Sequence, residues 1–144
     1  MNNHLSNHAR YWAIKMLTTS PILTITIFDN PPSNNHYKGV NGKHWFVRPA
    51  AKKFIALAQK AFYETAPRWQ LLHAPIATYM SYYVSADSNL DLDNYPKVLN
   101  DSFNGLIWND DEQIRYSMSE KILVTPQRGQ LVRDIKKTVL SIYI

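Results

Sequence analysis

The chain has 144 residues, 45% of them hydrophobic, enough for one buried core and too few for two. It has no cysteine, which excludes disulfide staples, thiolate zinc sites and cysteine nucleophiles and fits a reducing cytoplasm. A mean hydropathy of −0.34, with no apolar run near the ~20 residues of a membrane span, speaks against a membrane protein. The net charge of +5 hides an asymmetry. Residues 87–112 hold seven acidic side chains against Lys97 alone, a net −6, which leaves +11 on the rest. A basic body around one acidic segment suits a polyanion-binding surface beside a metal pocket. A solvated acidic loop on a mildly basic protein would give the same totals.

Residues 1–20 show no clean period and read as an N-terminal extension with a short helix over Tyr11–Leu17; residues 21–144 read as the main domain. Ile22–Phe28 is β-branched and alternates Thr with Ile, so it predicts a strand. Pro31 and Pro32 stop it, because each lacks a ladder donor. Ser33–Lys43 is polar and reads as a loop, with Trp45 and Phe46 after it assigned to the core. Val47, Ala50, Ala51, Phe54, Leu57, Ala58, Ala61 and Phe62 recur at three- and four-residue steps, the stripe of an amphipathic helix that Pro67 ends. Strands are predicted over Ile76–Ala86, Gln113–Val124 and Thr138–Ile144, with a short helix over Asn94–Phe103 and a turn over Pro126–Gly129. The order β, α, β, α, β, β predicts a small single-domain α/β (α+β) fold with a mixed sheet of about four strands and two main helices. Neither strand partners nor sheet order follows from it.

The acidic segment carries the chemistry. In an extended stretch, Asp91 and Asp93 point to one side and Leu92 to the other. Asn94 reads as the N-cap of the next helix, whose first turn tolerates Pro96. Tyr95, Leu99 and Phe103 form its apolar stripe, and Lys97 lies one turn on from Asp93. Asp110 and Asp111, after the Asn104-Gly105 turn, are expected to fold back onto the first pair. Carboxylates gathered this closely repel unless a cation neutralises them, and an all-oxygen set favours Mg²⁺ or Mn²⁺. Each piece also has an ordinary structural use. Asp-x-Asp caps helices, Asp-Asp makes turns, and a lone lysine is most often solvated. A calcium loop is excluded, because its third ligand would be Tyr95, its glycine Pro96 and its closing glutamate Ser102. The five histidines are scattered without ligand spacing.

Asp91-Leu92-Asp93-Asn94-Tyr95-Pro96-Lys97, then Asp101, Gly105 and Trp108-Asn109-Asp110-Asp111-Glu112-Gln113, resembles the signature of the RusA family of Holliday junction resolvases. Pro31-Pro32-Ser33-Asn34-Asn35-His36-Tyr37 resembles the same family's segment after its first strand, and the resemblance runs over about residues 22–144. It implies a small α/β homodimer that cuts four-way DNA junctions in paired symmetric nicks with Mg²⁺, or Mn²⁺ in its place. It implies a bacterial or phage source, cytoplasmic work in recombination and repair, and no membrane. Carried over by position, Asp91, Asp93 and Asp111 are the catalytic carboxylates that hold the metal, and Lys97 is the catalytic lysine. Asp101 and Asp110 match recurrent acidic positions that support them. Asn34, Asn35, Lys38, Lys43, Arg48, Lys52 and Lys53 are the candidate DNA contacts. Two departures stand out: Pro96 before the lysine, and Ala86-Asp87-Ser88-Asn89-Leu90 where the family's best-known form has arginines. Rival readings with the same residues are a less selective nuclease of flaps and forks and a non-catalytic junction binder. A metal-dependent phosphoesterase of small molecules is a third, which the +11 remainder disfavours.

Overall fold

Alternation decides the first strand. In the computed structural model, which describes residues 5–88 and 91–144, β1 (Leu23–Ile27) buries Leu23, Ile25 and Ile27 and turns Thr24 outward. It is preceded by α1 (Asn7–Thr18), longer than the predicted Tyr11–Leu17, because the Ser6 hydroxyl caps it by accepting from the Ala9 amide. Trp12 anchors α1 at 4% exposure, and His8 Nε2 bonds the Arg115 carbonyl at 2.7 Å.

The stretch read as a polar loop holds a hairpin instead. After a 3-10 turn over Asn34–His36 come β2 (Lys38–Asn41) and β3 (His44–Val47), paired antiparallel. Gly42 at φ 64° opens the two-residue loop, the Gly-first pattern of a hairpin turn. Gly39 lies under the Phe46 ring, so a Cβ there, 2.5 Å from that ring, would push the phenyl group aside. The hairpin stands off the main sheet, so Trp45 is 73% exposed and Phe46 is partly exposed; neither belongs to the core as their apolar character predicted.

Helix α2 (Pro49–Thr65) starts with proline at its first position, where no donor is needed. Its stripe is narrower than the sequence suggested. Ala51, Phe54, Ala58 and Phe62 are buried, while Ala50 and Leu57 are exposed. Strand β4 (Ile76–Ser85) leads through a 3-10 turn over Leu92–Asn94 into α3 (Pro96–Phe103). The backbone puts the α3 cap at Tyr95; the Asn94 side chain, read as that cap, lies outside the described residues, as do Asn89 and Leu90. Gly105 at φ 77° lets the chain leave α3. Strands β5 (Ile114–Val124) and β6 (Lys137–Tyr143) complete the sheet, in the order β1–β6–β4–β5.

Within this mixed α/β domain β6 pairs antiparallel with both β1 and β4, whereas β4 and β5 run parallel. The β4–β5 register runs from Ile76↔Ile114 to Ser85↔Val124. One sheet face, with Ile25, Met80, Tyr82 and Leu140, meets Phe54 and Phe62 of α2, Leu99 and Phe103 of α3, and Trp108. Among the described residues no helix is long and apolar enough to cross a membrane.

Phe54→Ala is expected to cost about 3–5 kcal/mol of unfolding free energy, and Leu57→Ala on the exposed flank under about 1 kcal/mol, read by urea denaturation. Equal costs would mean that α2 docks by another face.

Candidate active site

Asp91 and Asp93 sit just beyond the end of β4, where the chain reverses into α3. The turn is 3-10 rather than extended, so the strand alternation expected for the pair does not apply; both side chains are nonetheless exposed. Asp91 occupies the cap position without making a side-chain cap bond, and its carboxylate is exposed. Leu92 packs partly against the core, and the turn lies against β5. The buried Tyr95, stacked on Tyr82 with ring centroids 4.8 Å apart, anchors this corner to β4.

Lys97 is directed along its own helix. Its ammonium bonds Asp101 Oδ1 at 3.1 Å, the i,i+4 partner. The other oxygen of Asp101 accepts from the Tyr37 hydroxyl at 2.9 Å. Burial and the neighbouring Asp101 carboxylate push the Tyr37 phenol up to about 12, so it remains a donor at neutral pH. A second tie joins the same segments, from Asn34 Nδ2 to the Asp93 carbonyl at 3.4 Å. The Pro31–Tyr37 segment is therefore docked on the acidic corner. No sequence spacing signals this, because Tyr37 and Asp101 lie 64 positions apart.

Asp110 and Asp111 go elsewhere. Asp110 caps the 3-10 turn Asp111–Gln113, its carboxylate accepting from the Glu112 amide while Gln113 Oε1 accepts from the Asp110 amide. Gln113 Nε2 donates to the carbonyls of Leu72 and Ala74, which precede β4. Asp111 therefore stands at the start of the parallel pair and Asp93 beyond its finish. Tyr82, beneath the Asp93 corner, pairs with Lys121, far along β5 from Ile114. The gap is roughly 20 Å at the rise of a strand. The expected folding back of Asp110 and Asp111 onto Asp91 and Asp93 does not occur within one chain, because parallel pairing sends them to opposite ends. Among the described residues no three Asp, Glu or His side chains lie close enough to share an ion.

The candidate DNA contacts form one exposed tract. Asn34 and Asn35 lie in the docked 3-10 turn, Lys38 and Lys43 on the hairpin, and Arg48, Lys52 and Lys53 at the start of α2. Arg48 Nε donates to the Lys38 carbonyl, tying hairpin to helix. Ser33, buried at 7% exposure, holds His36 Nδ1 at 2.7 Å and fixes the imidazole beside this tract.

A family model described as endodeoxyribonuclease RusA matches residues 29–128, more than two thirds of the chain. No curated protein matches the chain. The matched span takes in the docked Pro31–Tyr37 segment, the Asp91–Asp93 corner, Lys97, Asp101 and Asp111. The chain belongs to the RusA family of endodeoxyribonucleases, which acts on Holliday junctions.

Proposed function

We propose that this protein is a Holliday junction resolvase, an Mg²⁺-dependent endodeoxyribonuclease that makes paired symmetric nicks in four-way DNA. One observation supports it above the others. The two motif segments that the chain shares with its family are bonded to each other through Asn34–Asp93 and Tyr37–Asp101–Lys97, so the basic tract and the acidic corner form one surface.

Asp91 and Asp93 suit Mg²⁺, an ion commonly held by one or two carboxylates with waters and substrate phosphates completing its shell. When bound, the ion supplies a Lewis acid that activates water and neutralises charge on the phosphoryl group. The remaining work is the chain's. The basic tract binds backbone phosphates and sets the register of the DNA. Lys97 exchanges Asp101 for a non-bridging oxygen of the scissile phosphate and stabilises charge that develops there. Asp101, fixed by Tyr37, keeps the ammonium within reach before DNA arrives.

Asp111 takes part only if a second copy supplies it, given the ~20 Å between it and Asp93 along one chain. A two-fold dimer with two such shared sites suits a four-way junction, whose own symmetry is two-fold.

Wild-type protein with Mg²⁺ is expected to resolve a mobile four-way junction and to leave a matched linear duplex intact; a flap and a fork in the same panel separate a resolvase from a less selective nuclease. Asp93→Asn is expected to slow cleavage more than about 100-fold with junction binding retained, because ligand loss costs more than loss of a ligand's support. Cleavage by Asp93→Asn at the wild-type rate would remove the metal role. Asp93→Asn mixed with Asp111→Asn is expected to recover about a quarter of wild-type nicking, since half the dimers would hold one intact shared site. No recovery would remove Asp111 from a shared site. Tyr37→Phe is expected to lower the single-turnover rate several-fold at unchanged junction affinity; a change in affinity alone would assign Tyr37 to binding.

A further inference from the structure

A cavity of about 510 Å³ opens between the Pro31–His36 segment, the first turn of α2 and the end of β4. Asp91, Asp93 and Lys97 do not line it, yet it adjoins them, because the 3-10 turn that carries His36 also carries the Asn34 bonded to Asp93.

Three independent features of this cavity call for an anion. The first is the start of α2. Arg48 at its cap makes no side-chain cap bond, and its first turn holds no acid. The first intrahelical bond runs from the Lys52 amide to the Arg48 carbonyl, so the amides of Ala50 and Ala51 have no helical acceptor, and Ala50 lines the cavity. A long helix beginning this way concentrates positive potential at its mouth. The second is charge. Lys53 from α2 and Lys136 from the approach to β6 reach the same space, and neither is in an ion pair among the described residues. The one acid on the wall, Asp29, has Oδ1 engaged by the Asn30 amide at 2.8 Å. The third is Tyr95. Its side chain is fully buried on this wall, and among the described residues its hydroxyl has only the neighbouring Ser88 to turn to, without a well-formed hydrogen bond. A buried hydroxyl left in that state is costly until something supplies an acceptor.

We propose that this cavity seats a backbone phosphate of the DNA strand next to the one being cut, held by the α2 amides, Lys53 and Lys136. The proposal rests on the nuclease reading above, since the strand that passes Asp93 is what brings the phosphate. The space exceeds a bare phosphate and leaves room for the attached sugar. The His36 ring, held at Nδ1 by the Ser33 hydroxyl, forms part of the same wall.

The test measures binding of a labelled four-way junction in EDTA by wild type, Lys53→Met, Lys136→Met and Ala50→Met, with Lys60→Met as control. Lys60 is exposed on α2 and outside the cavity. The Ala50 site is exposed and accepts a longer helix-forming side chain that obstructs the cavity without changing charge. The expected result is a roughly tenfold rise in Kd for each of the three cavity variants and less than about twofold for Lys60→Met. Millimolar inorganic phosphate is expected to weaken wild-type binding and to leave Ala50→Met unaffected, which separates a cavity that takes the phosphate group from a general basic field. Ala50→Met binding like wild type while both lysine variants weaken would overturn the cavity, and so would Lys60→Met weakening as much as Lys53→Met. In those cases wild type still cuts the junction and the nuclease reading stands. A wild type that neither binds nor cuts it overturns both.

Discussion

Parallel pairing of β4 with β5 is the constraint on which the rest depends. A parallel neighbour cannot be reached by a tight turn, so the chain must travel back along the sheet before β5 begins. Here α3 and the Asn104–Gln113 segment make that return. The crossover is held by Tyr95, Leu99 and Phe103, each fully buried, and by Trp108 at its far end. The same packing that makes the fold therefore sets one acidic corner beyond the end of β4 and places Asp111 at the opposite extremity.

The docked Pro31–Tyr37 segment works against a second constraint. Carboxylates at an exposed corner repel one another and any approaching polyanion. The molecule answers by bonding an uncharged, amide-bearing segment directly onto that corner and by engaging Asp101 with both Tyr37 and Lys97. One carboxylate is thus committed to holding a lysine, while Asp91 and Asp93 remain exposed to solvent. Division of labour among chemically identical side chains comes from their local partners.

Much of the fold was legible because periodicity reports burial. The Ile25–Ile27 alternation, the Phe54–Ala58–Phe62 stripe and the Tyr95–Leu99–Phe103 stripe each marked a buried face. The hairpin was not read, because β2 and β3 bury only Gly39 and so carry no alternating pattern; Gly42 was the one local sign of a turn. Trp45 misled because hydrophobicity states a preference for burial and not the presence of a surface to bury it. Of the candidate site, the Asp91–Lys97 cluster was legible from spacing along one segment. The position of Asp111 was not, since it depends on whether β5 runs with or against β4, and no residue in either strand encodes that choice locally. Tyr37 as the partner of Asp101 was hidden for the same reason: the contact is created by the return of the chain.

The place of β6 between β1 and β4 carries a kinetic consequence. Leu23 waits for Ile142, because the first strand has no sheet partner until residues 137–143 arrive. Until then β1 has no ladder partner and can pack only on the earlier-made α2, and closure of the long loop from β1 to β6 precedes any gain from pairing. Nascent chains of this architecture should hold β1 unpaired until β6 has been made, which makes that strand the natural place for a chaperone to grip or for premature association to begin.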